Sequence, residues 1–166
     1  MSEKEHHYAV TVTWTGNTGE GTATPTSYVK NQDIVVEGKP VIHGSADPAF
    51  RGDASRYNAE DLLVAALSQC HLLWYLSTAA KKKVVVTGYV DHAEGTMEMN
   101  RDGSGQFTRV VLRPEITLAP GTDVDVADSL HHIAHEMCFI ARSVNFPVLT
   151  EATYVIEEDA REPAAP

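Results

Sequence analysis

The chain contains two cysteines, Cys70 and Cys138, and each lies in a largely apolar stretch of sequence. The first is the centre of the segment "ALSQCHLLWYL" and the second of "HHIAHEMCFIARSV". A buried cysteine without polar partners behaves as a small hydrophobic side chain, so core filling is the simplest explanation. In a reducing compartment the alternative is a redox pair, which requires the two Cα atoms to lie about 4.4–6.8 Å apart.

A reactive thiol at Cys70 needs a cation beside it, because burial favours the protonated thiol. The residue lies in the middle of the helix that its neighbours predict, too far from the N-terminus for the helix dipole to stabilise a thiolate. The polar loop upstream contains Arg51 and Arg56, and either could supply the charge. Glu60 could hold such an arginine through a bidentate ion pair.

Histidines offer a competing site. His131, His135 and Cys138 are spaced i, i+4, i+7, which places them on one face of a helix, and His71 follows Cys70 directly. Together these side chains could bind zinc. The H-E-x-x-H order of zinc proteases is absent, and solvated histidines on an exposed helix side are the favoured interpretation.

Other function classes are excluded. The net charge is −10, from 13 Lys+Arg against 23 Asp+Glu, and such a chain repels nucleic-acid backbones. The sequence lacks both the βαβ alternation and the glycine-rich loop of nucleotide-binding folds. Three residues match a hydrolase triad in composition only, without a nucleophile elbow. They are Asp91, His92 and Ser104.

Length and composition predict one globular domain over residues 1–166, with frayed ends at 1–7 and 158–166. The 166 residues are 43% hydrophobic and 22% charged, as is usual for such a domain. Charges or turn residues interrupt every candidate membrane segment, and "MSEKEHHYAV" lacks the apolar core of a secretory signal. We therefore expect a cytoplasmic protein without a membrane partner.

The first half of the chain predicts a small antiparallel meander, a long loop and a helix. Strands are expected at 8–15, where apolar residues alternate, and near 27–30 and 34–37. A polar loop over 41–58 leads to Asn58, a helix N-cap, and a helix over 59–80. Apolar residues cover more than one face of this helix, which predicts a central, largely buried position.

The second half predicts another strand block and a second helix. One long or bulged strand over 84–99 is expected to return through the hairpin "NRDGSG" and a strand over 106–118. A helix over 124–144 would carry Cys138 on its inward apolar stripe, before a final strand over 145–158. Two helices packed against antiparallel strands make an α+β fold.

These motifs together resemble the OsmC/Ohr family, which comprises osmotically inducible and organic hydroperoxide resistance proteins. The segment "NAEDLLVAALSQC" is similar to the family signature NPEEL–AAA–C, and "HHIAHEMCFIARSV" is similar to its second-helix cysteine motif. The resemblance runs from Tyr8 to about Ile156. Two positions depart from the family pattern: Ala59 replaces the usual Pro, and Phe139 follows the second cysteine where Pro is common.

The resemblance implies an OsmC-like fold and a thiol peroxidase active in the antioxidant stress response. Cys70 would be the peroxidatic cysteine, Cys138 the resolving cysteine, and Glu60 the acidic partner of Arg51, with Arg56 as the fallback. No cofactor or metal is implied. A dithiol reductant, lipoyl or similar, would reopen the disulfide. Organic hydroperoxides are the expected substrates, with hydrogen peroxide a second candidate, because apolar residues flank the thiols: Leu72, Leu73, Trp74, Met137 and Phe139.

The spacing of Glu60 and Cys70 gives an independent indication of assembly. They are ten residues apart on one helix, about 15 Å along its axis, so both cannot serve one site within one chain. Two antiparallel copies of the helix would bring them together, which agrees with the intertwined homodimer that the resemblance implies. Two alternatives stay open: a non-catalytic OsmC-like binding or structural dimer, and a His/Cys metal-binding protein.

Overall fold

A computed structural model describes residues 5–158. The chain forms two compact units, divided between Leu62 and Leu63. Most of the ends expected to fray, at 1–7 and 158–166, lie outside the described residues. The single-domain prediction for 1–166 stays a prediction.

The N-terminal unit contains a three-stranded antiparallel sheet in chain order, which confirms the expected meander. A strand was expected at 27–30, but this segment forms only an isolated bridge of Tyr28 to Asn17. There the chain approaches Gly16 so closely that a Cβ atom would lie 1.8 Å from the Val29 carbonyl oxygen. The third strand lies in the segment expected to be a loop. The strands are β1 (Thr11–Trp14), β2 (Gln32–Val35) and β3 (Ile42–Gly44).

Strand β1 exposes both of its faces, so the expectation of a half-buried strand is wrong within one chain. Val12, on the apolar side of the alternation, is 63% exposed, and Tyr8 is 90% exposed. On the same strand Trp14 donates its indole N–H to the Val29 carbonyl at 3.0 Å. The sheet therefore presents apolar side chains that the chain itself does not cover.

The first long helix, α1, spans Ala59–Lys82 and confirms the prediction. Asn58 caps it as expected: its side-chain oxygen accepts the backbone N–H of Asp61 at 2.7 Å. Glu60 and Asp61 place negative charge in the first turn, where the helix dipole stabilises it. The helix ends before Lys83, whose φ of 59° lies in the left-handed region.

Helix α1 buries one stripe rather than most of its surface, which corrects the expectation of a largely buried helix. Its length and a mean hydropathy of 1.3 suffice for a membrane span, contrary to the sequence expectation. Core helices of soluble proteins have the same length and composition, and the buried stripe of α1 follows helical spacing. The stripe consists of Leu67, His71, Tyr75, Thr78 and Ala79.

The C-terminal unit contains a long hairpin whose two arms each break into two strands. The expected single strand over 84–99 is therefore divided, at His92 and Ala93. At this level Asp91 accepts the backbone N–H of Arg113 at 2.7 Å, and His92 donates its own to the Arg113 carbonyl. The two halves of the hairpin consequently belong to different sheets. The strands are β4 (Val86–Asp91), β5 (Glu94–Met99), β6 (Gly105–Leu112) and β7 (Pro114–Leu118).

The expected final strand is also divided, into β8 (Val148–Thr150) and β9 (Thr153–Ile156). Strand β8 pairs with β6 and β9 with β7, and both pairings are parallel. The fold is α+β as predicted, with antiparallel pairing elsewhere, but these two ladders correct the expectation of antiparallel strands throughout. Each sheet of this unit thus has three strands.

Helix α2 spans Val124–Met137 and is shorter than expected. Asp123 caps its N-terminus, accepting the backbone N–H groups of Asp125 and Val126. At the other end Cys138 has extended backbone angles and begins a short connection to a 3₁₀ turn at Ala141–Ser143. Cys138 therefore lies at the end of the helix rather than within its stripe.

The helices and sheets of this unit enclose two apolar clusters. In the larger, side chains of α1 and α2 pack against β7, and in the smaller α1 packs against β6 and β8. The larger contains Tyr75, Ala79, Val84, Ile116, Leu118, Ala127, Leu130 and Ala134. The smaller contains Leu67, Val110, Leu112 and Val148.

Candidate functional site

The two cysteines meet in the C-terminal unit. Cys70 lies on α1 and is partly exposed, whereas Cys138 is 1% exposed. Both are free thiols, and Cys70 is a close enough neighbour to raise the pKa of the Cys138 thiol. The two thiols are therefore neighbours in the fold.

Burial raises the pKa of the Cys138 thiol, and the neighbouring Cys70 raises it further. A backbone donor acts in the opposite direction: the Ala141 N–H lies 3.3 Å from the Cys138 sulfur. The net effect keeps Cys138 protonated near neutral pH. Of the two sulfurs, the partly exposed Cys70 is the one that a solute can reach.

Apolar side chains from α1 and from the end of α2 surround this pair. Trp74 and Phe139 meet edge to face, with ring centroids 5.7 Å apart. Phe139 is 65% exposed and follows Cys138 directly, and Leu73 and Met137 are also exposed. Within the chain, the surface next to the buried sulfur is therefore apolar.

Arg51 lies in the N-terminal unit, directly after a 3₁₀ turn at Pro48–Phe50, and has a left-handed φ of 66°. Its guanidinium is exposed and donates to the Pro25 carbonyl at 2.9 Å. Among the described residues, no carboxylate lies within ion-pair distance of it. The structure therefore does not show the expected pair with Glu60 inside one chain.

Arg56, the fallback arginine, already has carboxylate partners. Its guanidinium lies 3.7 Å from a carboxylate oxygen of Asp33 and 3.7 Å from one of Asp53. Only 25% of its side chain is exposed. Of the two loop arginines, Arg51 is the one whose charge is free to act elsewhere.

Glu60 lies in the first turn of α1 and lines a groove of about 280 Å³ in the N-terminal unit. Lys30 lies in the same groove and donates to the Phe50 carbonyl at 2.6 Å. Asp47 also lines the groove and caps the 3₁₀ turn through the Ala49 N–H. Glu60 thus lies in a polar depression near the start of the helix, ten residues from Cys70 along α1.

Two of the three candidate histidines, His71 and His131, are buried, which corrects the interpretation that they are solvated. His135 is exposed, as expected. His71 Nε2 and His131 Nδ1 lie 2.8 Å apart, and the side chains are 1% and 7% exposed. The Tyr75 ring stacks on His131 with centroids 4.3 Å apart. His131 Nε2 is buried without a hydrogen-bond partner among the described residues. The sequence signal was available, because His131 shares the helix face of Ala127 and Cys138.

Acid is expected to destabilise the protein through this pair. Burial lowers the pKa of His71 and of His131 from 6.5 to about 4 each. Asp91 opposes the shift at His71 and His135 adds to it, whereas at His131 the neighbouring His71 adds to it and Asp128 opposes it. Between pH 6.5 and 4 the unfolded chain binds protons that the folded chain does not bind. The free energy of unfolding therefore decreases as the pH is lowered through that window, by up to about 3 kcal/mol per histidine.

Urea unfolding measured at several pH values checks this expectation. The double variant His71→Leu/His131→Leu should lose less stability than the wild type on going from pH 7 to pH 4. His132→Gln is the matched control, since that side chain is 77% exposed. Parallel stability curves for the wild type and the double variant would contradict the assignment.

The other candidate sites are not assembled. Ser104 donates to Asp102, and Asp91 instead accepts the Ser68 hydroxyl, so the hydrolase triad is absent from the described chain. His92 lies beside Glu115 at 3.8 Å. Within residues 5–158, no group of three or more His, Cys, Asp and Glu side chains is arranged to hold a metal ion.

Solved structures of OsmC-like and organic hydroperoxide resistance proteins share this fold. An OsmC-like protein of unknown function from Vibrio cholerae is 33% identical, with a TM-score of 0.81 over 90% of this chain and 100% of its own. An organic hydroperoxide resistance protein from Elizabethkingia anophelis is 17% identical, with a TM-score of 0.65 over 93% and 100% of the two chains. One from Bacillus subtilis is also 17% identical, with a TM-score of 0.63 over 89% and 98%.

No curated protein matches the chain in a sequence search. The model of the family described as OsmC-like protein matches residues 52–152, which include both cysteines and α1. That match covers more than half of the sequence, and the relative from Vibrio cholerae shares a third of its residues. The chain therefore belongs to the OsmC-like family, as its two cysteine motifs indicated.

Proposed function

We propose that the protein is a thiol peroxidase that reduces organic hydroperoxides, with Cys70 as the nucleophile. The closeness of the two thiols is the observation that carries the proposal. Burial favours a protonated Cys138, and a second sulfur beside Cys70 supports the capture of an oxidised Cys70. Fold relatives named organic hydroperoxide resistance proteins agree with this activity.

The reaction proceeds in two steps before reduction. The Cys70 thiolate attacks one peroxide oxygen, the O–O bond breaks, and the leaving alkoxide takes up a proton from solvent and departs as an alcohol, while Cys70 becomes a sulfenic acid. The Cys138 sulfur then attacks the Cys70 sulfur, water leaves, and a disulfide forms. An external dithiol, lipoyl or similar, reduces the disulfide by exchange and becomes oxidised itself. The exposed apolar side chains at Leu73, Met137 and Phe139 favour organic over hydrogen peroxide.

We place Arg51 and Glu60 in the same site and a second copy of the chain around it. Arg51 has no carboxylate partner in its own chain among the described residues, and its charge would stabilise the Cys70 thiolate. Glu60 would orient that arginine through a bidentate pair. Because Glu60 and Cys70 are about 15 Å apart along α1, the site needs both copies of an intertwined homodimer.

The uncovered apolar surface of the chain supports this dimer. Val12 on β1 is 63% exposed and Leu73 on α1 is 59% exposed. A second copy would remove such side chains from water, which stabilises an assembly by about 25 cal/mol per Å². The proposal includes a cytoplasmic location, where two free thiols stay reduced.

Mass spectrometry of the reduced protein tests the activity. After one equivalent of cumene hydroperoxide, we expect each chain to lose two hydrogens as an internal disulfide, with one equivalent of cumyl alcohol released. Hydrogen peroxide at the same concentration should react more slowly. Two free thiols and unchanged peroxide would contradict the proposed function.

A further inference from the structure

The buried pair His71–His131 joins the same two helices as the cysteines. His71 directly follows Cys70 on α1, and His131 precedes Cys138 by seven residues, so it shares the face of α2 on which the cysteine ends. The imidazole nitrogens lie 2.8 Å apart, and the two rings are nearly coplanar at 6°. The two helices therefore bring together two pairs of side chains, the neighbouring thiols and the hydrogen-bonded imidazoles.

The imidazole pair is a poor choice for stability alone. His131 Nε2 is buried without a hydrogen-bond partner in the described part of the chain, and an unpaired buried polar atom costs about 1–3 kcal/mol. Apolar and aromatic side chains pack against the pair: Leu67 lies one turn before His71, and Tyr75 stacks on His131. Asp91 and Asp128 act on the two rings by charge alone. Two apolar side chains of similar size would fill this space without that cost.

A hydrogen bond constrains the relative orientation of its two partners, which apolar packing does not. Apolar contacts tolerate small slides and rotations of a helix, whereas an N–H···N bond requires one alignment. Helix α2 ends at Met137, and Cys138 continues from it with extended angles. The position of the Cys138 sulfur therefore depends on how α2 is rotated and placed along α1.

We propose that His71 and His131 are positioning residues, whose hydrogen bond aligns α2 on α1 so that Cys138 closes onto Cys70. This inference rests on the proposed disulfide cycle and deepens it. The pair touches neither peroxide nor reductant. Its effect falls on closure of the disulfide, not on the first attack of Cys70 on peroxide.

The double variant His71→Leu/His131→Leu tests the inference by separating stability from rate. At pH 7 we expect it to be as stable as the wild type or more so, because the unpaired nitrogen is gone. The sulfenic acid should form at the wild-type rate, and the disulfide should close slower, on the order of tenfold, the scale of one lost hydrogen bond. Stopped-flow mixing with one equivalent of cumene hydroperoxide, followed by dimedone trapping, resolves the two steps.

Amide substitutions give a second measurement that keeps the pair polar. Asn places a polar atom near the imidazole Nδ1 position and Gln near Nε2, so His131→Asn and His71→Gln match the observed contact. The exchanged variants, His131→Gln and His71→Asn, misplace it. We expect closure near the wild-type rate in the matched pair and slower closure in the exchanged pair. His132→Gln, on the exposed side of α2, serves as the control.

Equal closure rates in matched and exchanged variants, or wild-type closure in the leucine variant, would overturn the inference. A glutathione redox buffer separates this failure from failure of the proposed function. In this buffer, the ratio of disulfide to dithiol gives the effective concentration of the Cys138 thiol at Cys70, and no peroxide is needed. If the wild type closes its disulfide in the buffer but not with peroxide, the peroxidase proposal fails, and the variants still test alignment.

Discussion

Replacing Cys70 with serine is expected to abolish peroxide consumption, because a serine hydroxyl is not ionised near neutral pH and attacks peroxide negligibly. Replacing Cys138 with serine should leave the first step intact. Each chain would then consume one equivalent of cumene hydroperoxide and stop as a Cys70 sulfenic acid. Dimedone would trap this species, and excess peroxide would oxidise it further to a sulfinic acid. A coupled peroxide assay and intact-mass spectrometry measure both outcomes.

The Cys138 variant also reports on the thiol contact itself. Its serine hydroxyl is a polar group of similar size beside Cys70, so the first step should keep a rate close to the wild type. Cys138→Ala removes that polar group and serves as the matched comparison. Continued peroxide turnover by Cys70→Ser, or full turnover by both Cys138 variants with the same reductant, would show that the two cysteines do not act as proposed.

Two inactive variants are expected to restore activity when they share a dimer. Cys70→Ser lacks the nucleophile, and Glu60→Gln lacks the partner of the arginine. If each site takes Cys70 from one chain and Glu60 from the other, a mixed dimer contains one intact site and one doubly altered site. Random association of equal amounts should therefore recover about a quarter of the wild-type activity, since half of the dimers are mixed.

The mixed dimer is made by refolding the two variants together or by expressing them together, because intertwined chains exchange slowly. Sedimentation first establishes that each variant forms a dimer. Arg51→Met in place of Glu60→Gln should complement in the same way, whereas Arg56→Met should keep most of its activity, since Asp33 and Asp53 already hold Arg56. No recovery in any mixture, or a fully active monomer at micromolar concentration, would contradict the shared site.

Local signals in the sequence predicted α1 and its boundaries well. Asn58 is a strong N-cap, and apolar residues recur after it at helical spacing as far as the lysines at the C-terminus. The end of α2 was not predicted, because apolar residues keep helical spacing beyond Cys138 and the 3₁₀ turn at Ala141–Ser143 prolongs the pattern. Hydrophobic periodicity shows where apolar side chains point, but it does not show where the backbone leaves the helix.

The breaks in the strands could not be predicted from the sequence for a different reason. Alternation over 84–99 is compatible with one continuous strand, and only a long-range contact interrupts it: the carboxylate of Asp91 accepts the Arg113 backbone N–H. The contact between Cys70 and Cys138 likewise depends on how two distant helices pack. The separate positions of both cysteines were predictable, and their meeting was an inference from the family resemblance.

The parallel pairing of β8 with β6 and of β9 with β7 affects how the chain folds during synthesis. Val110 pairs with Val148 and Ile116 with Tyr154, so both sheets lack their third strand until the segment 148–156 has left the ribosome. Such sequence-distant contacts raise the contact order and slow folding. Until then the nascent chain presents open edges of β6 and β7, which are templates for aggregation. Chaperone dependence of the newly made chain should therefore be greatest before this segment emerges.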